Sequence, residues 1–454
     1  MAGLSSPLPT RVAVGPATIL ALRGWVTDAA CSITRLSVTL EGNYYPASSF
    51  RPRRAARPIR APAVASSFWA FLPLPSVAEP RVSEIALDIQ LDGQISQTIG
   101  LGRVALTPGL DPRPETLARV EAARPADGEP HVSICMATCD PDPELLRTQI
   151  ASLRAQTHQS WTCIVSDDAS RPEHVAAIDA LCRDDPRFIV VRHHERIGPY
   201  RNFERALALV PRWSNYVALC DQDDVWNPDK LTVLLSQMRR GTQLAYGDMR
   251  VVDVRGRVLA STYWVTRKNN FRSLASLLVT NTVTGAAALF RREVLDIALP
   301  FPSPVGELFH DHWIACAAMA GGKLAYVPRT LQDYVQHEDN VIGHCSGGAS
   351  SRAVFVRRLL ATARRRSPYP WQDAFFDDVL RVGLIARVLE ARCISPPLRR
   401  RAALALVGHA DDSMLGTIWL AARGLHRAGR RSDTADGELH LLEGLIGRRA
   451  YSVI

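Results

Sequence analysis

YVALCDQDDVW, at residues 216–226, is an apolar run that ends in a cluster of carboxylates. A short apolar run bounded by polar residues is typical of a buried strand. In open α/β sheets, ligands bind at the carboxyl ends of the strands, and Asp221, Asp223 and Asp224 follow this run directly. Clustered carboxylates repel one another unless a cation lies between them. Mg²⁺ and Mn²⁺ prefer one or two carboxylates plus substrate phosphate oxygens, so the stretch predicts a metal site.

Short strands and helices alternate on the amino-terminal side of this stretch. The predicted strands are residues 132–137, 161–166 and 188–192. The predicted helices are residues 144–156, 173–181 and 202–210. Such alternation indicates βαβ units and a mostly parallel sheet, which is an α/β fold of the Rossmann-like type.

A second pair of carboxylates, Asp167 and Asp168, follows the predicted strand 161–166. A carboxylate at this position can accept a hydrogen bond from the base or ribose of a nucleotide. The alternative role is a helix N-cap, because Arg171-Pro172-Glu173 resembles the start of a helix. One aspartate can cap while the other binds, so both roles stay open for the pair.

A third candidate site is His310-Asp311-His312-Trp313, which precedes an apolar helix. A carboxylate between two histidines is a candidate general base for a sugar hydroxyl. The alternative is that Asp311 caps the helix. A zinc site formed by His310, His312 and His337 is a further alternative, although two histidines separated by one residue are weak evidence for it.

The regions that flank the α/β segment have different patterns. Residues 1–108 alternate apolar and polar residues over short runs separated by turns, which predicts a β-sandwich-like domain. Residues 109–130 are rich in Pro, Arg and Glu and are predicted to be a linker. Residues 131–345 form the predicted α/β domain, and 346–454 are predicted to be a basic α-helical region.

The net charge of +9 is concentrated in the carboxy-terminal region. Residues 345–454 contain 18 Arg and 10 Asp or Glu, a net charge of +8, whereas residues 131–344 are close to neutral. Arg357, Arg358 and Arg364 to Arg366 form a basic stripe. Such a stripe is either a solvated helix face or a surface for an anionic membrane. Nucleic acid is not an expected partner, because the central domain is acidic at its predicted site.

The remaining bulk properties favour a cytoplasmic protein, with possible peripheral contact at the inner face of the cell membrane. The first residues lack the charged start and apolar run of a signal peptide. No stretch reaches the 18 or so apolar residues of a membrane span. Nine cysteines without a CxxC pair indicate reduced thiols rather than a disulfide framework.

Residues 131–345 contain an ordered series of motifs. They are Thr138-Cys139-Asp140-Pro141, Val165 to Ser170, Ile197-Gly198 with Asn202-Phe203, Asp221 to Trp226 with Pro228-Asp229-Lys230-Leu231, Thr280 to Gly285, His310 to Trp313, and Tyr334 to His337 with Asn340-Val341. In content and order these motifs resemble those of the inverting glycosyltransferases of family two, which have the GT-A fold, and in particular members that extend bacterial surface polysaccharides, including rhamnosyltransferase-like proteins. Arg196 stands where the family often has Asn.

The resemblance implies a role for each matching residue. The residues implied to contact a nucleotide-sugar donor are Thr138, Asp140, Asp167, Asp168, Asn202 and Asp221. Those implied on the acceptor side are Thr284, Gly285, His310 and Trp313. Asp221, Asp223 and His337 would hold Mn²⁺ or Mg²⁺, and Asp311 would be the catalytic base. The implied reaction transfers a sugar to a hydroxyl of a saccharide or lipid-linked acceptor, in the synthesis of cell-surface polysaccharide.

Two functions of other classes remain as alternatives. One is an inactive carbohydrate-binding or scaffold protein on the same fold, although all the acidic residues are present. The other is a metal-dependent nucleotidyl or phosphoryl transferase, since carboxylates with Mg²⁺ serve those reactions too. The chain lacks the Gly-x4-Gly-Lys-Ser/Thr phosphate loop, which weakens the second alternative.

Overall fold

The computed structural model describes residues 1–27, 33–50, 66–91, 96–110, 113–125, 128–264, 269, 271–337, 371–394, 396–428 and 435–451. Within these residues the chain forms an amino-terminal pair of sheets, a central α/β unit and a set of carboxy-terminal helices.

The amino-terminal sheets form the β-sandwich that the alternating sequence predicts. One sheet contains β1 (Ala2–Leu4), β3 (Ile19–Val26), β6 (Ser48–Phe50) and β7 (Ser66–Pro73). The other contains β2 (Arg11–Val14), β4 (Ile33–Leu40), β5 (Asn43–Pro46), β8 (Arg81–Leu91) and β9 (Ser96–Pro108). Strand β8 shows why they pair: alternate residues from Ser83 to Leu91 are buried, so one face of the strand packs inside the sandwich.

The central unit is built on one large sheet. Its strands are β10 (Val132–Thr138), β11 (Trp161–Asp167), β12 (Phe188–Arg192), β13 (Tyr216–Cys220), β14 (Val225–Trp226), β15 (Thr242–Asp253), β16 (Val258–Ala260), β17 (Ala288–Arg291) and β18 (Lys323–Gln336). Their order is β12-β11-β10-β13-β17-β15-β18-β14, and β16 pairs with β15. The first four strands run parallel, β15 and β18 also run parallel, and β17 is antiparallel to both its neighbours. The predicted α/β fold with a mostly parallel sheet is therefore confirmed.

Helices connect and cover these strands. They are α1 (Pro114–Ala122), α2 (Pro143–Arg154), α3 (Pro172–Cys182), α4 (Pro199–Ala208), α5 (Lys230–Ser236), α6 (Leu274–Val279), α7 (Val294–Ala298) and α8 (His310–Gly321). Helix α1 lies in the predicted linker. Helix α4 starts three residues earlier than the predicted 202, because Pro199 fits the first helical turn and Gly198, at φ 83°, supplies the preceding bend.

The carboxy-terminal region is helical, as predicted. It consists of α9 (Trp371–Asp373), a π-helical turn (Ala374–Val379), α10 (Leu380–Arg392), α11 (Leu398–Gly408), α12 (Met414–Ala428) and α13 (Ala435–Tyr451). These helices share one hydrophobic core with the central unit, and Trp69 of the sandwich reaches the same core with its ring 4.7 Å from that of Phe375. Arg392 donates hydrogen bonds to the Pro16 and Ile297 carbonyls and so joins the three regions.

Arginines in the described helices bind within the protein. Arg387 contacts Asp411 at 2.8 Å, and Arg423 contacts the fully buried Glu438 at 2.5 Å. The sequence from 367 to 454 contains 12 Arg and 10 acidic residues, so it contributes only +2. The other six arginines, at 352–366, include the predicted basic stripe, which lies outside the described residues, as does Asn340-Val341. Among the described residues, no helix is both long and apolar enough to cross a membrane.

Candidate active site

The carboxyl ends of β10, β11 and β13 meet at one edge of the sheet. Parallel pairing places Thr138 beside Asp167 and Met136 beside Cys220. Asp221 to Asp224 therefore follow β13 close to the Thr138 and Asp167 ends, as expected for a ligand site in an open α/β sheet. The predicted donor and metal residues are thus brought to the same edge.

Asp221 is a carboxylate whose ionisation its surroundings oppose. Burial and the nearby carboxylates of Asp223 and Asp311 together raise the pKa of Asp221 to about 7, while Lys230 lowers it. Asp221 and Asp311 interact electrostatically although 90 residues separate them in the sequence. The structure therefore brings the predicted metal ligand and the predicted base near each other.

Asp223 and His337 form the second contact of the metal motif. His337 Nε2 lies 2.8 Å from Asp223 Oδ2, and their side chains are 19% and 16% exposed. His337 follows the end of β18, so the contact ties the motif to a strand on the far side of β13 in the sheet. The two predicted metal ligands are therefore neighbours in space.

Asp224, by contrast, is a structural carboxylate. Its side chain is fully buried, and its Oδ2 accepts a 2.9 Å hydrogen bond from Gln332 Nε2. Burial raises the pKa of Asp224 well above its ordinary value, and the nearby Asp223 and Asp221 raise it further. Gln332 links Asp224 to Lys230, because the Gln332 amide oxygen also accepts a hydrogen bond from the buried Lys230 Nζ.

Lys230 is a residue of the candidate site that the sequence showed only as part of a motif. Its ammonium group is fully buried, lies 3.4 Å from the centre of the Trp226 ring and donates a hydrogen bond to the Ala286 carbonyl. Burial lowers the pKa of Lys230 to about 7, although Cys220, Asp224 and Asp221 oppose that shift. Lys230 thereby joins the metal motif to the 3₁₀ turn Gly285–Ala287. A lysine on a short helix gives no sequence sign of such burial.

Asp311 lies in the first turn of α8 and is not its N-cap. The cap position is Phe309, which has no side chain capping bond, so the N-cap alternative for Asp311 is wrong. Burial raises the pKa of Asp311 to about 6, against hydrogen bonds from His312, Gly285 and Asn281 that lower it. Glycine at 285 permits this contact, since a Cβ there would stand 3.2 Å from Asp311 Cβ.

The three histidines of the alternative zinc site do not converge. His310 stacks on Phe203 with ring centres 3.9 Å apart, and burial lowers its pKa to about 3. His312 donates from Nε2 to the Leu277 carbonyl at 2.7 Å. His337 contacts Asp223 instead of either of these histidines. Among the described residues, His310, His312 and His337 form no group of zinc ligands, so this alternative is not supported.

The four predicted acceptor-side residues occupy different environments. Thr284 is half-buried and immediately precedes the 3₁₀ turn that begins with Gly285. A Cβ at Gly285 would stand 3.0 Å from His310 Nε2, so these two residues are in contact. Trp313 is fully buried, and its indole N–H donates to the Ala298 carbonyl at 2.9 Å. Because its ring and its polar atom are both used inside the core, Trp313 supports α8 and does not present itself to an acceptor.

Asp167 and Asp168, the two aspartates predicted to lie on the nucleotide side, both accept hydrogen bonds from neighbouring loops. Asp167 accepts hydrogen bonds from Thr138 Oγ1 at 3.1 Å and from the Ser170 backbone and hydroxyl groups. Asp168 accepts from the backbone N–H groups of Ile197 and Gly198 at 3.0 and 2.7 Å. Both side chains are nearly buried, and the cap position of α3 is Arg171 instead. The two aspartates therefore shape the loops after β11 and β12, and neither is a helix N-cap.

Asp140 and Asn202 complete the predicted donor residues. Asp140 has a left-handed backbone at φ 44°, and its carboxylate accepts hydrogen bonds from the Arg171 backbone and from Arg196 at 2.7 Å. These bonds lower the pKa of Asp140 to about 2. Asn202 is buried and bonds Ser166 through both ends of its amide, so it supports the edge of the sheet from behind.

Gln222 is a second residue that sequence reasoning missed. Its amide oxygen accepts from the Cys139 N–H at 2.8 Å, and its amide nitrogen donates to the Cys139 carbonyl at 3.3 Å. This pair of bonds fixes the loop after β10 against the metal motif. The only sequence sign was its place between Asp221 and Asp223, which Gln shares with any polar residue.

The donor set fits a hard divalent cation. Asp221 and Asp223 would supply carboxylate oxygens and His337 an imidazole nitrogen, and Lys230 lowers the pKa of the half-buried Asp221. Among the described residues, no three His, Cys, Asp or Glu side chains are already grouped as metal ligands. Such a cation commonly completes its coordination with substrate phosphate oxygens and water, so a full protein shell is not required.

Comparison with known proteins agrees with this arrangement. The model of the family described as glycosyl transferase family 2 matches residues 133–297. The matched range contains Thr138, Asp167, the metal motif and the 3₁₀ turn, and it includes every strand of the central sheet from β11 to β17. The predicted GT-A-type core is therefore confirmed.

Individual relatives match parts of the chain. The succinoglycan biosynthesis protein ExoW of Rhizobium meliloti is 33% identical over 99 residues, which are 22% of this chain and 31% of that protein. An uncharacterized glycosyltransferase of Methanocaldococcus jannaschii is 23% identical over 194 residues, 42% of this chain and 66% of that protein. The crystal structure of S. aureus TarS 1-349 in complex with UDP-GlcNAc is 15% identical with a TM-score of 0.39, covering 71% of this chain and 91% of that chain. The chain spans between 12% and 66% of the length of the curated relatives that it matches.

Proposed function

We propose that the protein is an inverting glycosyltransferase that moves a sugar from a nucleoside-diphosphate sugar to a hydroxyl of a saccharide or lipid-linked acceptor. The observation that carries the proposal is the place of Gly285, where a Cβ would stand 3.2 Å from both Asp311 Cβ and Leu219 Cδ1. The carboxylate suited to act as a base therefore lies beside β13, the strand that the metal motif follows. The family 2 match supports the same reaction class.

The chain's own residues supply distinct parts of the reaction. The loops built by Asp167 and Asp168 would bind the nucleotide at the β10 and β11 ends. Asp311 would accept the proton of the acceptor hydroxyl. As that proton leaves, the acceptor oxygen bonds to the anomeric carbon, and the bond between this carbon and the diphosphate oxygen breaks. A base in this role accelerates a reaction by roughly 10²–10⁴-fold. A pKa of about 6 suits Asp311 for it, because the group is ionised at neutral pH yet basic enough to hold a proton.

Asp221, Asp223 and His337 are the residues that would hold Mn²⁺ or Mg²⁺. The bound cation would supply positive charge to the departing diphosphate. Lys230 and Gln332 would keep Asp224 and the metal motif in place. Both side chains are buried, Lys230 donates a hydrogen bond to Gln332, and Gln332 donates one to Asp224.

The wider role we propose is cell-surface polysaccharide synthesis on the cytoplasmic side of the cell membrane. The name of ExoW, a succinoglycan biosynthesis protein, supports a polysaccharide role. A peripheral contact with anionic lipid would come from the six arginines at 352–366, where most of the carboxy-terminal excess charge lies.

Turnover of nucleotide sugars tests the proposal directly. The full chain is incubated with UDP-, GDP- and dTDP-sugars, each with Mn²⁺, Mg²⁺ or chelator, and release of the nucleoside diphosphate is measured. We expect release from at least one sugar with metal and none with chelator. Turnover of nucleoside triphosphates in preference to every nucleotide sugar would instead support a nucleotidyl or phosphoryl transferase.

A further inference from the structure

The metal motif has an aromatic neighbour that the reaction scheme does not use. Tyr334 lies on β18, near the carboxyl end of the strand. Because alternate residues of a strand share a face, Tyr334 is on the same face as Gln332. That face carries the Gln332 contact to Asp224. The electrostatic influence of Asp221, Asp223 and Asp224 on the Tyr334 hydroxyl agrees with this placement. Tyr334 is half-buried.

Tyr263 faces Tyr334 from the adjacent loop. The two ring centres are 6.0 Å apart at 82°, an edge-to-face arrangement. Tyr263 is also half-buried. Together, Tyr263 and Tyr334 form an aromatic pair beside the acidic site.

The loop that carries Tyr263 is held in a defined position. Asp248 of β15 accepts a 3.1 Å hydrogen bond from the Tyr263 N–H and a second bond from the Thr262 hydroxyl. Trp264, whose ring centre is 5.6 Å from that of Tyr263, packs against the main hydrophobic core. The loop that carries Tyr263 is therefore ordered before any ligand binds, since the buried Asp248 and the packed Trp264 both hold it.

The position of the pair relative to the nucleotide side decides what it binds. In the sheet, β10 and β11 lie on one side of β13, while β15 and β18 lie on the other. The Asp221 to Asp224 loop follows β13, so it separates the nucleotide-binding ends from the aromatic pair. A ligand on the pair would approach the reacting centre from the side opposite the nucleotide.

We propose that Tyr263 and Tyr334 form the binding surface for the acceptor saccharide, with the sugar ring packed on the aromatic faces. This inference rests on the proposed function. Binding sites for small polar molecules combine apolar or aromatic area with a few polar groups that fix orientation. The pair supplies flat apolar area, and the phenol hydroxyl groups of the two tyrosines supply polar atoms at its edge.

Saturation-transfer NMR with simple glycosides tests the surface without turnover. The full-length protein is mixed with methyl α-mannoside, methyl β-glucoside or methyl α-rhamnoside, in the absence of donor and metal. We expect saturation transfer to the ring protons of at least one glycoside. Tyr263→Ala should weaken its binding about tenfold, which corresponds to about 1.4 kcal/mol. Tyr263→Phe keeps the ring and should restore binding.

Controls separate this surface from general effects and from the proposed activity. Tyr44→Ala removes a tyrosine that is 65% exposed on β5, and it should leave glycoside binding unchanged. Thermal unfolding shows whether Tyr263→Ala is folded, and Tyr263→Leu replaces it if not. Three outcomes would each overturn the inference. They are equal glycoside binding by the wild type and the folded Tyr263→Ala or Tyr263→Leu protein, no saturation transfer with the wild type, and weakened UDP and GDP binding by that variant. Because no donor is present, failure of the proposed reaction would leave this result intact.

Discussion

Gly285 lies so close to Asp311 that a Cβ at residue 285 would stand 3.2 Å from Asp311 Cβ and 3.0 Å from His310 Nε2. The same turn accepts a hydrogen bond from the buried Lys230 through the Ala286 carbonyl. Gly285 thus stands between the residue proposed as base and the network under the metal motif. The contact explains why a small residue is required where neither φ nor a turn type demands glycine.

Gly285→Ala should therefore displace Asp311 and slow sugar transfer about tenfold or more, since small misplacements of a catalytic group are costly. The KM for the donor should change little, because the proposed donor contacts lie at the β10 and β11 ends. Steady-state kinetics with acceptor measures both. Gly100→Ala is the matched control, because a Cβ at residue 100 would meet nothing within 4 Å. Normal kcat in a folded Gly285→Ala protein would contradict the proposed place of Asp311.

Asp311→Asn should remove transfer while preserving donor and metal binding. The amide keeps the size of the side chain but cannot take a proton, so we expect a loss of roughly 10²–10⁴-fold in kcat. Donor and Mn²⁺ affinities are measured by calorimetry on the same protein. Asp296→Asn, on an exposed side chain paired with Arg292, is the control for an equivalent change elsewhere. Near-normal transfer by a folded Asp311→Asn protein would rule out the base role.

The pH dependence of kcat/KM should show the raised pKa of Asp311. Burial moves that pKa from 3.8 to about 6, so the carboxylate form needed by a base is lost as the pH falls through about 6. With saturating metal, kcat/KM should fall about tenfold per pH unit below that value. An aspartate with an ordinary pKa would remain active down to about pH 4. A flat profile between pH 5 and 7, in roughly the range where Asp311 titrates, would contradict this.

The parts of the fold that follow from local pattern were predictable from the sequence. Buried parallel strands leave continuous apolar runs, and polar residues follow them, so β13 and the metal motif were found together. The start of α4 was missed because apolar spacing begins only at Asn202, whereas Gly198 and Pro199 already set the bend and the first turn.

The site itself was only partly predictable. Asp221, Asp223, Asp311 and His337 were named from motifs, and the structure brings them close together. What the sequence could not show is burial. Lys230 and Gln222 look like ordinary surface residues in a motif, yet one is fully buried and the other bonds the Cys139 backbone twice. Trp313 was assigned to the acceptor side for the same reason, since only packing shows that its ring belongs to the core.

The six arginines at 352–366 should control binding to anionic lipid. Replacing Arg357, Arg358 and Arg364 to Arg366 with Gln removes five charges and leaves the described helices intact. Removal of the whole region after 345 is a poor test, because α9 to α13 share a core with the central unit. We expect sedimentation with phosphatidylglycerol vesicles to fall and to weaken with salt, whereas binding to phosphatidylcholine vesicles should not change. Unchanged sedimentation with anionic vesicles would leave these arginines as a solvated surface.

Asp223→Asn should abolish metal-dependent turnover while leaving the fold intact. Asp223 is 16% exposed and its described partner is His337, which an Asn oxygen can also accept from, so little stability should be lost. The neutral amide, however, is a much poorer ligand for Mn²⁺ or Mg²⁺ than a carboxylate. Nucleoside-diphosphate release and Mn²⁺ binding by electron paramagnetic resonance should fall together. Asp229→Asn is the control, because Asp229 lies just beyond the motif and pairs with Arg329 at the surface. Wild-type turnover in Asp223→Asn, or in the wild type with excess chelator, would show that the reaction needs no cation at this motif, and the buried charge around Asp221 would then require another explanation.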